Sequence, residues 1–331
     1  MSQPAFGIDF PDKTLEASMR THLVSVEAAL HKSVDADYGL LNQAGRHLID
    51  AGGKRFRPLV TLLAAHFGDP SRAEIVDAAV VVELTHLATL YHDDVMDEAP
   101  VRRGAPSANS RWTNTIAILT GDFLFARASA LLSGLGTDAV RIQAETFERL
   151  VTGQIRETVG PAADDDHIEH YLEVLADKTG SLIATSAQFG AMFAGVAAEQ
   201  VDALRQLGEL IGVAFQISDD ILDIASETTQ SGKTPGTDLR EGIPTLPVLY
   251  ALRDSDPSSA RMRELVATAL TDDDRHAEAL ELLRNSTALK QARETLQDYA
   301  DQARSMLALL PDVPARLGFS SVIDMVVERT G

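Results

Sequence analysis

The sequence predicts an all-α fold, and three observations carry that expectation. Nearly every long segment repeats its apolar residues at three- and four-residue steps, the period of a helix with one buried face. No segment alternates apolar and polar residues convincingly enough to read as a half-buried strand. Gly, Pro and capping residues fall where one periodic stretch stops and the next starts. With 331 residues, 45 % of them hydrophobic, the chain is able to bury a large core. No linker-like stretch, low-complexity segment or short repeat divides it, so residues 1–331 are read as a single all-α domain, with 1–11 as a frayed N-terminus.

A helix over about Lys13 to Val34 carries Leu15, Met19, Leu23, Val26 and Leu30 on one face. The next, about Asp37 to Asp50, stops at Gly52-Gly53, because glycine takes the left-handed conformation that ends a helix. A third starts near Pro58, suited to a first helical position, and stops at Gly68-Asp-Pro70. Ser71 is expected to cap the helix that runs through Ile75 to Tyr91 into an acidic stretch. Pro100, Gly104 and Pro106 then force a loop. Helices follow at roughly Ala108 to Asn114, Ala117 to Ser133, Asp138 to Val159, Asp165 to Ala176, Ser181 to Gly195 and Glu199 to Ala225. Ser226 to Gly242 is a polar loop, and Pro244 to Glu328 reads as four or five shorter helices. No apolar run approaches the ~20 residues that span a bilayer. Met1 to Asp12 lacks the basic-then-apolar pattern of a signal peptide.

Charge and cysteine usage narrow the function. A formal charge of −20 argues against a nucleic-acid partner, whose phosphates need basic surface. The absence of cysteine excludes disulfides and thiolate metal sites, and suits a reducing, cytoplasmic setting.

Against that acidic background, one motif occurs twice. Asp93, Asp94 and Asp97 end the apolar run Ile75 to Tyr91, and Asp219, Asp220 and Asp223 follow the run Leu204 to Ile217 in the same Asp-Asp-x-x-Asp spacing. In a helix, Asp93 and Asp97 share a face about 6 Å apart along the axis. Such carboxylates repel unless a cation sits between them, and oxygen ligands on a rigid helix suit Mg²⁺ with positions left open for phosphates. An ordinary charged helix end is the alternative, weakened by the repetition. Two such helices face to face would make a six-carboxylate cup for several Mg²⁺ ions.

Cations also gather in places that suit phosphate. Gly52-Gly-Lys-Arg-Phe-Arg-Pro58 offers Lys54, Arg55 and Arg57 in a tight turn, where glycines admit a ligand and arginine forks grip it. The same residues also read as a basic helix C-terminus complementing the macrodipole. Arg102-Arg103 lies just past the first acidic motif, Lys178-Thr179 precedes a helix, and Lys233 sits in the Gly-rich loop after the second motif. Each of these also reads as ordinary solvated surface. Glu83 and His86 form Glu-x-x-His, but a di-iron site needs the motif twice. His86 is therefore read as a hydrogen-bonding side chain that Glu83 satisfies, lining the same cavity as Asp93.

Taken together these residues resemble the trans-isoprenyl diphosphate synthases, the polyprenyl synthetase family. The matching motifs are Gly52-Gly-Lys-Arg-Phe-Arg-Pro58, His86, Asp93-Asp-Val-Met-Asp97, Arg102-Arg103, Lys178-Thr179, Gln216-Ile-Ser-Asp-Asp-Ile-Leu-Asp223 and Gly232-Lys233, in the family's order from residue 52 to about 250. The resemblance implies one large helical bundle of the isoprenoid synthase type around a central cavity. It implies head-to-tail condensation of isopentenyl diphosphate with an allylic diphosphate, farnesyl or geranylgeranyl, using several Mg²⁺ ions in a homodimer. Asp93, Asp97 and Asp219 would ligate metal directly, with Asp94, Asp220 and Asp223 acting directly or through water. Arg102, Lys178 and Lys233 would hold the allylic diphosphate. Lys54, Arg57, His86 and Arg103 would hold isopentenyl diphosphate, and Thr179 and Gln216 would lie beside the reacting carbons. One position departs from the family: Ile243, in Asp238-Leu-Arg-Glu-Gly-Ile-Pro-Thr245, stands where a lysine is common, and Arg240 is a candidate substitute.

The product is expected to grow beside the helix before Asp93, where a turn rises 5.4 Å, roughly one isoprene unit. One turn above the motif, Ala88 and Thr89 are small, and Leu84 and Thr85 lie further up. Phe123, Phe125, Leu131 and Leu132 are candidates for the floor. Without an aromatic block, the expectation is hexaprenyl to decaprenyl diphosphate for a quinone side chain, with a peripheral membrane contact for product release; geranylgeranyl or farnesyl diphosphate is the alternative. A class I terpene cyclase is disfavoured because the second motif is all aspartate. A non-catalytic subunit is disfavoured because both motifs are complete.

Overall fold

The computed structural model describes residues 8, 10–226 and 235–330. In chain order its helices are α1 (Lys13–Ser33), α2 (Gly39–Asp50), α3 (Phe56–Ala65), α4 (Glu74–Met96), α5 (Ala108–Arg111), α6 (Asn114–Leu135), α7 (Thr137–Val159), α8 (His167–Leu175), α9 (Ser181–Phe193), α10 (Ala198–Ala225), α11 (Thr237–Glu241), α12 (Leu246–Arg253), α13 (Ala260–Val266), α14 (Asp273–Arg284), α15 (Thr287–Ala308) and α16 (Pro314–Glu328). The only strands among the described residues are two-residue pieces, β1 (Val101–Arg102) and β2 (Ala105–Pro106), paired antiparallel. They lie in the stretch expected to be a plain loop.

The chain falls into two compact units. One comprises Met1–Glu148, Leu182–Gly208 and Leu309–Ser321, the other Arg149–Ser181, Glu209–Ala308 and Val322–Gly331. In the first, α4 packs against α6, α3 and α1. Every residue of α3 except Arg57 is buried, which explains why this helix is apolar all round. Close approach needs glycine here: a Cβ on Gly190 of α9 would lie 2.0 Å from the Thr61 carbonyl oxygen of α3. Tyr91 ties α4 to α2, donating its hydroxyl hydrogen to the Ala44 carbonyl and accepting from the Leu48 amide at 3.3 Å. In the second unit a core of Ile217, Ile221 and Ile224 from α10 joins Leu246, Leu265, Leu283 and Leu296. The three- and four-residue steps in α10 put those isoleucines on one face.

Several boundaries moved for identifiable reasons. Ser71 does not cap α4: its hydroxyl and amide both bond the Asp69 carboxylate, at 2.6 and 3.0 Å, and Ala73 occupies the cap position without a side-chain bond. The third helix starts at Phe56, so Pro58 is its third residue, tolerated because first-turn amides need no intrahelical partner. The segment expected over Ala108 to Asn114 ends at Arg111, and Thr113 caps α6 by accepting from the Ile116 amide. Between α8 and α9 the chain stays helical through a π turn, Ala176–Gly180. The expected polar loop contains α11. Contrary to expectation, α4 and α6 are each long and apolar enough, by length and composition, to cross a bilayer. For α4 the apolar window is 67 % buried, as a core helix requires, whereas for α6 it is 33 % buried.

Candidate active site

In the first unit, the basic turn and the Arg102-Arg103 loop converge. Arg103 donates to the carbonyls of Leu48, at 2.9 Å, and Gly52, satisfying acceptors at the C-terminal end of α2. Gly53 makes room for it: with φ +144°, a Cβ there would lie 2.8 Å from the Arg103 guanidinium carbon. The three cations of the turn take different roles. Lys54 is exposed. Arg55 is buried and pairs with Glu27 at 2.8 Å and with Glu83 at 3.3 Å. Arg57 is partly buried, and its buried Nε has no hydrogen-bond partner. Burial pulls the Arg57 guanidinium down to about 10, with Glu83 and Asp93 opposing the shift. A desolvated guanidinium with an unused donor is a preformed anion site.

His86 stands among these arginines. Burial first, then the charges of Arg57, Arg103, Arg102 and Arg55, hold its imidazole well below the ordinary 6.5, so it is neutral at neutral pH. Glu83 does not satisfy it. That carboxylate goes to Arg55 instead, correcting the expected pairing.

The three carboxylates of the first motif separate by burial. Asp93 is half-buried, Asp94 is buried and Asp97, which caps α4, is exposed. Asp94 Oδ1 accepts from Arg102 Nε at 2.6 Å, while its buried Oδ2 has no partner. Burial raises the Asp94 pKa and the Arg102 bond opposes it. Arg102 is thus tied to the acidic motif. Along α4, Leu84, Thr85 and Ala88 are fully buried and Thr89 half-buried. Thr85 accepts from Gln143 Nε2 at 2.9 Å. Phe125 tilts against Phe147 at 4.5 Å and His92 at 5.8 Å, Phe123 lies under Arg127, and Leu132 is buried.

In the second unit the expected residues form a polar chain. Thr179 Oγ1 donates to Gln216 Oε1 at 3.4 Å, and Gln216 Nε2 donates to Asp220 Oδ1 at 3.1 Å. The Tyr171 hydroxyl donates to Asp220 Oδ2. Burial pushes the Asp220 carboxyl up to about 7, with Tyr171 opposing and Asp238 adding to the rise. Asp219 pairs with Arg329 at 2.9 Å. Asp223 accepts the amides of Thr237 and Asp238, each at 3.2 Å, which anchors the start of α11. Lys178, on the π turn, pairs with Glu157. Gly153 permits this: a Cβ there would meet the Lys178 amide nitrogen at 2.8 Å. Arg240 pairs with Asp273 at 2.8 Å, and Ile243 is 43 % exposed. Gly232 and Lys233 lie outside the described residues.

Tyr171 and Arg329 escaped the sequence reading. Nothing in the periodicity marks either one, since each meets its aspartate only through packing. Among the described residues no three carboxylate or imidazole side chains converge into a preformed metal site. Each acidic motif nonetheless suits Mg²⁺, which is held by one or two carboxylates plus phosphate oxygens rather than by an all-protein cage. The orphaned Asp94 Oδ2 is such an unused oxygen.

An all-α chain with two acidic motifs and a cluster of arginines around His86 has the charge pattern of a phosphate-handling helical protein. Residues 39–283 match the family model of polyprenyl synthetase. The chain is 51 % identical over 326 residues to nonaprenyl diphosphate synthase of Mycobacterium tuberculosis, covering 98 % of this chain and 97 % of that one. It superposes with TM-score 0.89 on the crystal structure of geranylgeranyl pyrophosphate synthase from Corynebacterium glutamicum complexed with calcium and isoprenyl diphosphate, at 49 % identity over 98 % of this chain and 100 % of that one. With decaprenyl diphosphate synthase from Rhodobacter capsulatus the TM-score is 0.86 at 32 % identity, over 97 % and 100 % of the two chains. The chain belongs to the polyprenyl synthetase family. It is a trans-prenyltransferase with the all-α isoprenoid synthase fold.

Proposed function

We propose that the protein condenses isopentenyl diphosphate head-to-tail with an allylic diphosphate to make a long-chain trans-polyprenyl diphosphate of hexaprenyl to decaprenyl length. The observation that carries the substrate class is the pocket of Arg57, Arg103 and neutral His86 beside Asp93, with a guanidinium donor free for an anion. The nonaprenyl and decaprenyl relatives and the small Ala88 and Thr89 support the length. The likeness to the Corynebacterium enzyme favours geranylgeranyl diphosphate as the second reading.

Lys54, Arg57, His86 and Arg103 bind isopentenyl diphosphate, and Arg102, Lys178 and Lys233 bind the allylic diphosphate. Asp93 and Asp97 in the first unit, with Asp94 next to them in the chain, and Asp219, Asp220 and Asp223 in the second would hold Mg²⁺. When bound, the metal neutralises charge on the departing pyrophosphate. The allylic C1–O bond breaks with the electron pair leaving on pyrophosphate, and the fixed cations favour that charge. The isopentenyl double bond attacks C1, and transfer of a C2 proton to the released pyrophosphate restores neutrality. Thr179 and Gln216 turn hydroxyl and carbonyl dipoles toward the transient cation. Such a cation is quenched by water, so the reaction requires an apolar cavity that closes over it.

Incubating the protein with Mg²⁺, isopentenyl diphosphate and separate dimethylallyl, geranyl, farnesyl and geranylgeranyl primers, then sizing the dephosphorylated alcohols by mass spectrometry, tests this. A ladder ending beyond geranylgeraniol is expected. Asp93→Ala and Asp219→Ala should abolish turnover with an unchanged circular dichroism spectrum, and near-normal activity in either sinks the metal assignment. A homodimer completes the reading. It is supported by the apolar surface of α6, where Ile118 and Leu119 are 43 % and 56 % exposed, and sizing by light scattering checks it.

A further inference from the structure

The inner side of the basic turn holds an arrangement of charge that the substrates, in the reading above, never touch. Arg55 takes a left-handed backbone conformation, φ +48°, which a residue with a side chain rarely adopts. It turns inward while Lys54 turns outward. Its Nε and Nη2 fork onto Glu27 at 2.8 Å each, and its Nη1 donates to Glu83 at 3.3 Å and to the Gly52 carbonyl at 3.2 Å. Nη2 also donates to the Ile49 carbonyl at 3.0 Å. Glu83 is 1 % exposed, on α4 one turn before His86. A carboxylate so buried is stable only beside cations. Its charge also favours the protonated guanidiniums of Arg57 and Arg103, which burial opposes.

We propose that Glu83 is a positioning residue for isopentenyl diphosphate. Through Arg55 it holds the turn in the conformation that presents Lys54 and Arg57, and its negative charge allows three guanidiniums to share one pocket before a diphosphate arrives. This rests on the assignment of Lys54, Arg57, His86 and Arg103 to that substrate.

Glu83→Gln keeps the volume and a hydrogen-bond acceptor and removes the charge. With the two substrates varied separately, the KM for isopentenyl diphosphate should rise roughly tenfold, less than the loss for a buried charge pair made directly with the substrate, because Glu83 acts through Arg55. The KM for the allylic diphosphate should stay within roughly twofold and kcat within roughly threefold, because Arg102 is held by Asp94 rather than by Glu83, Glu27 or Arg55. Equal rises in both KM values, a fall in kcat alone, or wild-type kinetics overturns the proposal. If Glu83→Gln does not fold, Glu27→Gln decides, since Glu27 is 40 % exposed and tolerates change. It should raise the same KM roughly threefold, a partly exposed pair being worth less, and an unchanged KM overturns the proposal. Wild-type protein assayed in parallel separates the two readings. An inactive wild type sinks both, whereas an active wild type with an unaltered Glu83→Gln sinks only the role of Glu83.

Discussion

Replacing Asp220 with asparagine should stabilise the metal-free protein above neutral pH while removing a carboxylate assigned to Mg²⁺ in the proposed reaction. Asp220 is 7 % exposed, and burial is the main cause that lifts its carboxyl from 3.8 to about 7. Between those values the folded chain keeps a proton that the unfolded chain has released, so stability falls as pH rises through the window. Above about 7 the penalty is complete; below 3.8 it is absent. The shift corresponds to at most about 4 kcal/mol. Asparagine still accepts from Gln216, and the Tyr171 hydroxyl can turn to accept from its amide, so a gain on the order of 2 kcal/mol is expected near pH 8 and about none near pH 4. Urea unfolding in chelator, followed by circular dichroism at both pH values, measures it. A variant less stable than wild type near pH 8, or a difference that does not change with pH, would refute the burial argument. Added Mg²⁺ should raise the wild-type midpoint near pH 8 more than that of the variant, since the cation relieves the charged carboxylate.

Two further substitutions test packing and product control. Gly190→Ala places a Cβ 2.0 Å from the Thr61 carbonyl oxygen, and a backbone atom cannot rotate away. The overpacking cost of about 1–3 kcal/mol or more should outweigh the ~1 kcal/mol helix-propensity gain; an unchanged urea midpoint contradicts this. Ala88→Phe fills a fully buried position one turn before the acidic motif. It should shift the products toward shorter alcohols on mass spectrometry, and an unchanged ladder means that the chain grows along another wall.

The helices were legible because their causes are local. Apolar steps in α1, α4 and α10 follow from the 3.6-residue period, and their ends from residues within one turn. Even so, the cap at Ser71 failed, because Asp69, two residues away, competes for the same hydroxyl. The π turn under Lys178 was not legible either, since it adds a residue to a helix without changing composition.

The site divides in the same way. Sequence alone determined the two acidic motifs, the basic turn, the reaction class they resemble and the all-α architecture, because these depend on residue type at fixed short spacing. Tertiary structure alone decided which cation does what. Arg55 and Arg57, two residues apart, differ because one meets Glu27 and Glu83 while the other leaves its Nε unpaired. It also brought Tyr171 to Asp220 and Arg329 to Asp219, giving a C-terminal residue a partner in the second motif. Such pairs join residues far apart in the chain, and whether a charge is neutralised, buried or left available depends on packing that no local pattern encodes.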